Sequence, residues 1–270
     1  MFVVNENLTR PARQIQLGLA AWLCLLAGCG PATISSGTVS LQDITDGPGL
    51  TVIAAELKTE RQIPWTKPED VLLTAAFPDS EHGRLFPDWT YVMLAHGGVL
   101  FIPIQEGAER ERLHGLFTIA GGEPLTWEGV ADGSGFYPPG FSLAPVEINV
   151  APEEAERFAS LRMARSNKLK AIAVALHKYH EDHGHFPPAI VYGEDGTPWH
   201  SWRVLILPYF GEQERKLHAQ YDFNAPWDAA QNLPVLEQMP MVYRSELPSE
   251  FPNHFTPYVV ITGEGTAFPL

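Results

Sequence analysis

The spacing of apolar residues changes period part-way along the chain. From Val39 to Pro103 they come in short runs between turn residues: Thr51 to Glu56 follows Asp46-Gly47-Pro48-Gly49, and Thr90 to Ala95 and Val99 to Ile102 flank His96-Gly97-Gly98. Runs of this length, rich in β-branched and aromatic residues, predict strands, and two joined at a glycine pair predict an antiparallel hairpin. Trp65-Thr66-Lys67-Pro68-Glu69-Asp70 reads as a proline-fixed turn. Arg110 to Phe117 fits a short helix, and Pro124 to Val150, rich in Gly and Pro without a helical period, fits a connection and the best domain boundary. From Pro152 the period is helical. Phe158, Leu161, Leu169, Ile172, Leu176 and Tyr179 fall on one face, Pro152, Glu153 and Glu154 suit the positive end, and Gly184 suits the stop. The helix is predicted at about 30 residues, or about 45 Å, a spine laid across a sheet. A strand at Trp202 to Leu207, a short helix at Glu212 to Leu217, a helix from Pro226 to Leu236 and a strand at Tyr258 to Thr262 follow. The expected fold class is α+β, a long helix packed on an antiparallel sheet.

The N-terminal residues add a compartment. Arg10 and Arg13 precede an apolar run, Ile15 to Leu26, of signal-sequence length. It is too short to span a bilayer, which takes about 20 apolar residues. Leu26-Ala27-Gly28-Cys29 then matches the bacterial lipoprotein signal, so residues 1–28 are expected to leave and Cys29 to carry lipid. A plain secretory signal and a buried apolar helix are the alternatives. Several acyl chains hold a protein far more firmly than one. Cys24 leaves with the signal and Cys29 is used by lipid, so no disulfide is expected in the remainder. The formal charge is −14, and losing Glu6, Arg10 and Arg13 makes it −15. So acidic a surface argues against nucleic acid and anionic lipid as partners. The expected site is the cell envelope, facing the periplasm or exterior, with the membrane contacted through lipid. Gly30 to Gly37 is small and polar and reads as the core of a tether at residues 29–38.

Chemistry-bearing residues concentrate after the long helix. His177 and His180 lie at i and i+3 and could share a metal if His200, Asp182 or Glu181 supplied a third ligand. The plainer reading is that they pack at the helix end and bond the following loop. Trp199, Trp202, Tyr209, Phe210, Tyr221, Phe223 and Trp227 crowd into 30 residues. They fit either a core between helix and sheet or a pocket for a sugar or peptide, with Trp199, Trp202, Arg203, Tyr209 and Trp227 as its candidate lining. Asp43 and Asp46 beside Gly47 lack the alternating acidic ligands of a calcium loop, and turn chemistry explains them. There is no GxSxG, P-loop or dinucleotide fingerprint. His200 and Ser201, adjacent on a strand, would point to opposite faces and form no dyad. No catalytic residue, enzyme activity or cofactor is expected.

Seven landmarks in order carry a resemblance: Ser166 to Lys170, Leu176 to His180, Phe186-Pro187-Pro188, His200 to Arg203, Phe223 to Asp228, Met239 to Arg244 and Gly265 to Phe268. In these, residues 166–268 resemble the planctomycete-type pseudopilin-like family, domain of unknown function 1559, also catalogued as bacterial solute-binding family 10. Asp43 to Gly47, Trp65 to Asp70, Ala95 to Ile102 and Leu116 to Glu123 resemble that family's closing blocks, so its two halves stand in exchanged order. The resemblance implies a pilin-like fold, circularly permuted, or a chain cut from tandem copies. It also implies loss of one disulfide, since Arg165 and Ser245 stand near where the family often has cysteines. The expected parts are a signal peptide at 1–28, a tether at 29–38, a strand-rich part at 39–123, a connection at 124–151 and a helix-and-sheet part at 152–270. The function expected first is a non-enzymatic, membrane-anchored structural or interaction module of the envelope. The alternative is an extracytoplasmic solute-binding lipoprotein with its pocket near the 199–227 aromatic cluster.

Overall fold

The computed structural model describes residues 37–58, 62–73, 89–103, 116–120, 128–129, 136–137, 152–248 and 250–270. The signal segment, Cys29, most of the tether, the expected helix at Arg110 to Phe117 up to Gly115, and most of the 124–151 connection lie outside these residues. In chain order the elements are β1 (Val52–Glu56), β2 (Ile63–Pro64), β3 (Val71–Leu72), β4 (Trp89–Leu94), β5 (Val99–Pro103), β6 (Glu128–Gly129) and β7 (Phe136–Tyr137). Next come α1 (Pro152–His183), β8 (Ile190–Tyr192), β9 (Pro198–Ser201), α2 (Trp202–Leu205), α3 (Glu212–Gln220), α4 (Leu233–Leu236), β10 (Phe255–Thr256) and β11 (Tyr258–Thr262).

The main sheet runs β3-β11-β1-β4-β5. Its pairs are antiparallel except β11 with β3, which is parallel, so the sheet is mixed. β11, from the end of the chain, lies between strands from its first third, with Ala54 opposite Val260 and Ile261 opposite Val71. Every residue of β1 and β11 is buried, because both faces of the sheet are covered. One face carries Ala54, Tyr91, Met93, Tyr258 and Val260 against Leu169, Ile172, Ala173 and Leu176 of α1. The other carries Ala55, Val92, Leu94, Val259 and Ile261 against Leu116 and Phe117. Alternate residues thus serve two cores, as the period of two requires.

The β4–β5 hairpin closes as its glycines predict. Gly97 takes φ of 92° and donates to Leu94 O, while Leu94 N–H donates to Gly98 O, both at 2.8 Å. A Cβ on Gly97 would also meet the His177 ring nitrogen at 3.4 Å. Gly97→Ala should therefore cost about 1–2 kcal/mol, read as a lower denaturant midpoint at unchanged slope.

α1 is 32 residues long, ended by Gly184 at φ of 81°. Its buried face starts only at Leu169: Phe158 is 51% exposed and Met163 67%. This corrects the expectation that Phe158 is a core position. α1 lies along β4, from Arg165 beside Tyr91 to His177 beside Gly97. A helix of about 48 Å outruns strands of five or six residues, about 17–20 Å long, so its N-terminal turns extend past their ends. Two charged residues pin the middle of the helix, one to the sheet and one to the segment after Tyr243. Arg165 grips both oxygens of buried Glu56 at 3.1 and 3.0 Å and lies 4.8 Å from the Tyr91 ring centre. Lys168 donates to Arg244 O at 2.8 Å and pairs with Glu246.

Two expected elements change type. Trp202 to Leu207 is not a strand: the strand is Pro198–Ser201, and the Ser201 hydroxyl then accepts from Arg203 N–H at 3.3 Å, capping a short helix. Pro226 to Leu236 is helical only from Leu233. Fully buried Asn232 takes the backbone groups that a longer helix would use, donating to the carbonyls of Asp222, Ala225 and Pro226 and accepting from Asp222 N–H.

Candidate functional site

The five residues expected to line a pocket fall in three places. Trp202 and Arg203 are fully buried between α2 and the sheet. The Arg203 guanidinium donates to Asp70 Oδ1 at 2.8 Å, to Tyr258 O at 2.7 and 3.0 Å and to Ser201 Oγ at 2.9 Å, and it lies 4.7 Å from the Trp202 ring centre. Asp70 Oδ1 also accepts from Trp202 Nε1 and Val260 N–H, whereas Oδ2 has no partner among the described residues. Three donors on one oxygen do not replace the water lost from both. Burial therefore outweighs the pull of Arg203, and the Asp70 carboxyl is pushed up to about 6.

Trp199 and Trp227 meet at the β8–β9 hairpin. The Trp199 indole lies flat on Gly193, where an added Cβ would come within 2.1 Å, and its Nε1 donates to Thr197 Oγ1 at 2.9 Å. Trp227 N–H donates to Trp199 O at 3.0 Å. Tyr209 stands apart at the end of α1, donating to Asp182 Oδ2 at 2.9 Å. Burial first, and then Asp182, hold its phenol well above the ordinary tyrosine range.

The histidines have polar partners too. His180 Nε2 accepts from Leu41 N–H at 3.0 Å. His177 faces the hairpin turn: its Nε2 is buried without a partner among the described residues, while its ring is hydrogen-bonded to the Ala95 backbone. Burial lowers His177 and His180 below the ordinary histidine value. His200 is buried, with Nδ1 3.0 Å from the Tyr221 hydroxyl and Nε2 3.1 Å from Phe223 O. Among the described residues no three His, Cys, Asp or Glu side chains come together as a metal site.

A cavity of about 390 Å³ opens between α3 and the strap Gln238–Met241. Leu217 and Met239, both buried, form its floor, and the Gln213, Gln220 and Gln238 amides stand at its rim with Glu214 and Lys216. Met241 is 65% exposed beside it. The groove is concave, apolar at its base and amide-rich at its edge, an arrangement suited to a small solute with both apolar and hydrogen-bonding groups. None of the five aromatic and arginine candidates lines it. The sequence signal was the i, i+4, i+7 spacing of Gln213, Leu217 and Gln220, which puts one apolar residue between two amides on a helix face.

This groove, α1 and β11 all belong to one continuous stretch of sequence. Residues 155–267 match the family described as protein of unknown function (DUF1559). The matched stretch starts in the first turn of α1 and ends just after β11, and it contains every residue lining the groove. Asp70 and Glu56, which hold Arg203 and Arg165 of this stretch, lie before it. Neither a curated protein nor a solved structure matches the chain. Among the described residues no helix is long and apolar enough to cross a membrane.

Proposed function

We propose that the chain is a non-catalytic solute-binding module of the bacterial envelope, lipid-anchored at Cys29, that takes its solute in the groove between α3 and Gln238–Met241. The observation that carries this reading is the groove itself, about 390 Å³ in size and wholly inside the stretch that matches the DUF1559 family. Its volume lies in the range of small-molecule sites, about 300–1,000 Å³. The rim amides both donate and accept, which favours uncharged sugars or short peptides over ions. The pairing of β11 with β1 and β3 supports the further reading of a pilin-like domain with its halves exchanged, closed into one sheet.

Thermal-shift screening of the purified protein against sugars, short peptides and metals tests the binding reading. A true solute at about 100 times its Kd should raise Tm by about 5 °C or more, and the rise should vanish in Gln220→Trp, which fills the groove from an exposed position. Silence across the panel would sink solute binding and leave a structural or interaction module. Mass spectrometry tests the anchor: diacylglycerol on a Cys29 N-terminus is the expected result, and an uncleaved or unlipidated chain overturns it.

A further inference from the structure

The first described residues are fastened to the end of α1. Phe186 N–H donates to Val39 O at 2.9 Å, and Leu41 N–H donates to His180 Nε2 at 3.0 Å, across 139 positions. Val39 and Ile44 are buried in the core on either side. Between them Leu41–Asp43 makes one 3₁₀ turn, closed by the Asp43 carboxylate, which accepts from Ser40 N–H at 2.7 Å and the Ser40 hydroxyl at 2.8 Å. An imidazole nitrogen accepts a hydrogen bond only while it is unprotonated, because both nitrogens of an imidazolium are donors. Protonating His180 would set two donors against each other at this joint.

We propose that His180 is a pH-operated latch, holding the Ser40–Asp43 turn on the end of α1 when neutral and releasing it when protonated. Several groups act on the ring. Burial is the largest influence and keeps it neutral, His185 in the loop after α1 also opposes protonation, and Glu181 on α1 favours it. His177, one turn back on α1, is itself lowered by His180. The docked turn brings Asp43, whose carboxylate is engaged by Ser40. The latch is therefore closed at neutral pH and opens on acidification past the ordinary histidine range. Val39 and Ile44 stay anchored in the core, so the turn between them lifts while the sheet stays folded. Because Val39 stays in the core, opening is confined to residues 40–43, and the latch works whether or not Cys29 carries lipid.

Amide hydrogen exchange on the purified full chain, corrected for the intrinsic pH dependence, tests it. Between about pH 7.5 and about pH 5 the Leu41 amide should lose about tenfold in protection, while Val92 and Val260 in the sheet keep theirs. The acid step should disappear in both His180→Ala and His180→Gln. An unchanged Leu41 amide in the wild type overturns the latch. So does an acid step that persists in either variant, or sheet amides that lose protection along with Leu41.

Discussion

Replacing Asp70 with alanine is expected to cost about 3–5 kcal/mol of folding free energy, the typical penalty for stripping one partner from a buried ion pair. Asp70 and Arg203 both have fully buried side chains, and their carboxylate and guanidinium meet at 2.8 Å. Removing the carboxylate leaves the guanidinium with only Tyr258 O and Ser201 Oγ as acceptors among the described residues, and it also frees Trp202 Nε1 and Val260 N–H. Asp70→Asn should cost less, because its Oδ1 can still accept from those three donors. Replacing both partners with apolar residues of similar volume should be milder than Asp70→Ala alone, since no buried charge is then left unpaired. Urea titration followed by circular dichroism reads all three. A loss under about 1 kcal/mol for Asp70→Ala would mean that the pair holds little.

The same pair sets a pH dependence whose sign follows from burial. The folded Asp70 carboxyl titrates at about 6 and its ordinary value is 3.8, so the folded state binds the proton more tightly than the unfolded one. Its contribution to stability is full below about 3.8 and is lost as pH rises through the interval to about 6, by an amount on the order of 2–3 kcal/mol. Asp70→Asn cannot titrate and should flatten this part of the stability profile. Glu56, also raised by burial against the pull of Arg165, adds a slope of the same sign, so some slope should survive in the variant.

These contacts also show what the sequence could and could not reveal. The strands at Val52–Glu56, Trp89–Leu94, Val99–Pro103 and Tyr258–Thr262 were legible because local apolar runs and a glycine pair are enough to mark a hairpin and a buried strand. α1 was legible from its period, though its first turns were misread as core, because period does not say how far a sheet extends. Trp202 to Leu207 was misread because its apolar run looks like a strand unless Ser201 is seen as a cap. The aromatic cluster posed a choice between core and pocket, and composition could not make it: Trp202 went to the core and Trp199 to a hairpin. Arg203 with Asp70, and His180 with Leu41, join residues 133 and 139 positions apart. No local pattern marks such pairs. The groove was missed for a related reason, since four of its nine lining residues come from a proline-containing strap that carries no periodicity.

Trp65→Ala should be about as damaging as Asp70→Ala, at about 3–5 kcal/mol. Trp65 is fully buried, stacks on Tyr243 with centroids 5.7 Å apart, and donates from Nε1 to Leu236 O at 2.8 Å. Truncation would open a cavity among Trp65, Tyr243 and α4 and leave the Leu236 carbonyl buried without its donor. Tyr243 donates to Arg203 O at 2.9 Å, so a shift of its ring would reach the Asp70 pair as well. Trp65→Phe keeps a ring but loses the donor, and should cost about 1–3 kcal/mol. Trp199→Ala is the control: its side chain is partly exposed and, among the described residues, its indole is hydrogen-bonded only to Thr197 of its own hairpin, so the change should cost less than about 1 kcal/mol. The shape of the unfolding curve matters as much as its midpoint. Trp65 joins the first third of the chain to the last across 171 positions, so both parts should unfold in one transition, and Trp65→Ala should move it without splitting it. Two separate transitions in the wild type would show that the parts fold as independent fragments, and would remove the support that the shared sheet lends to a permuted single domain.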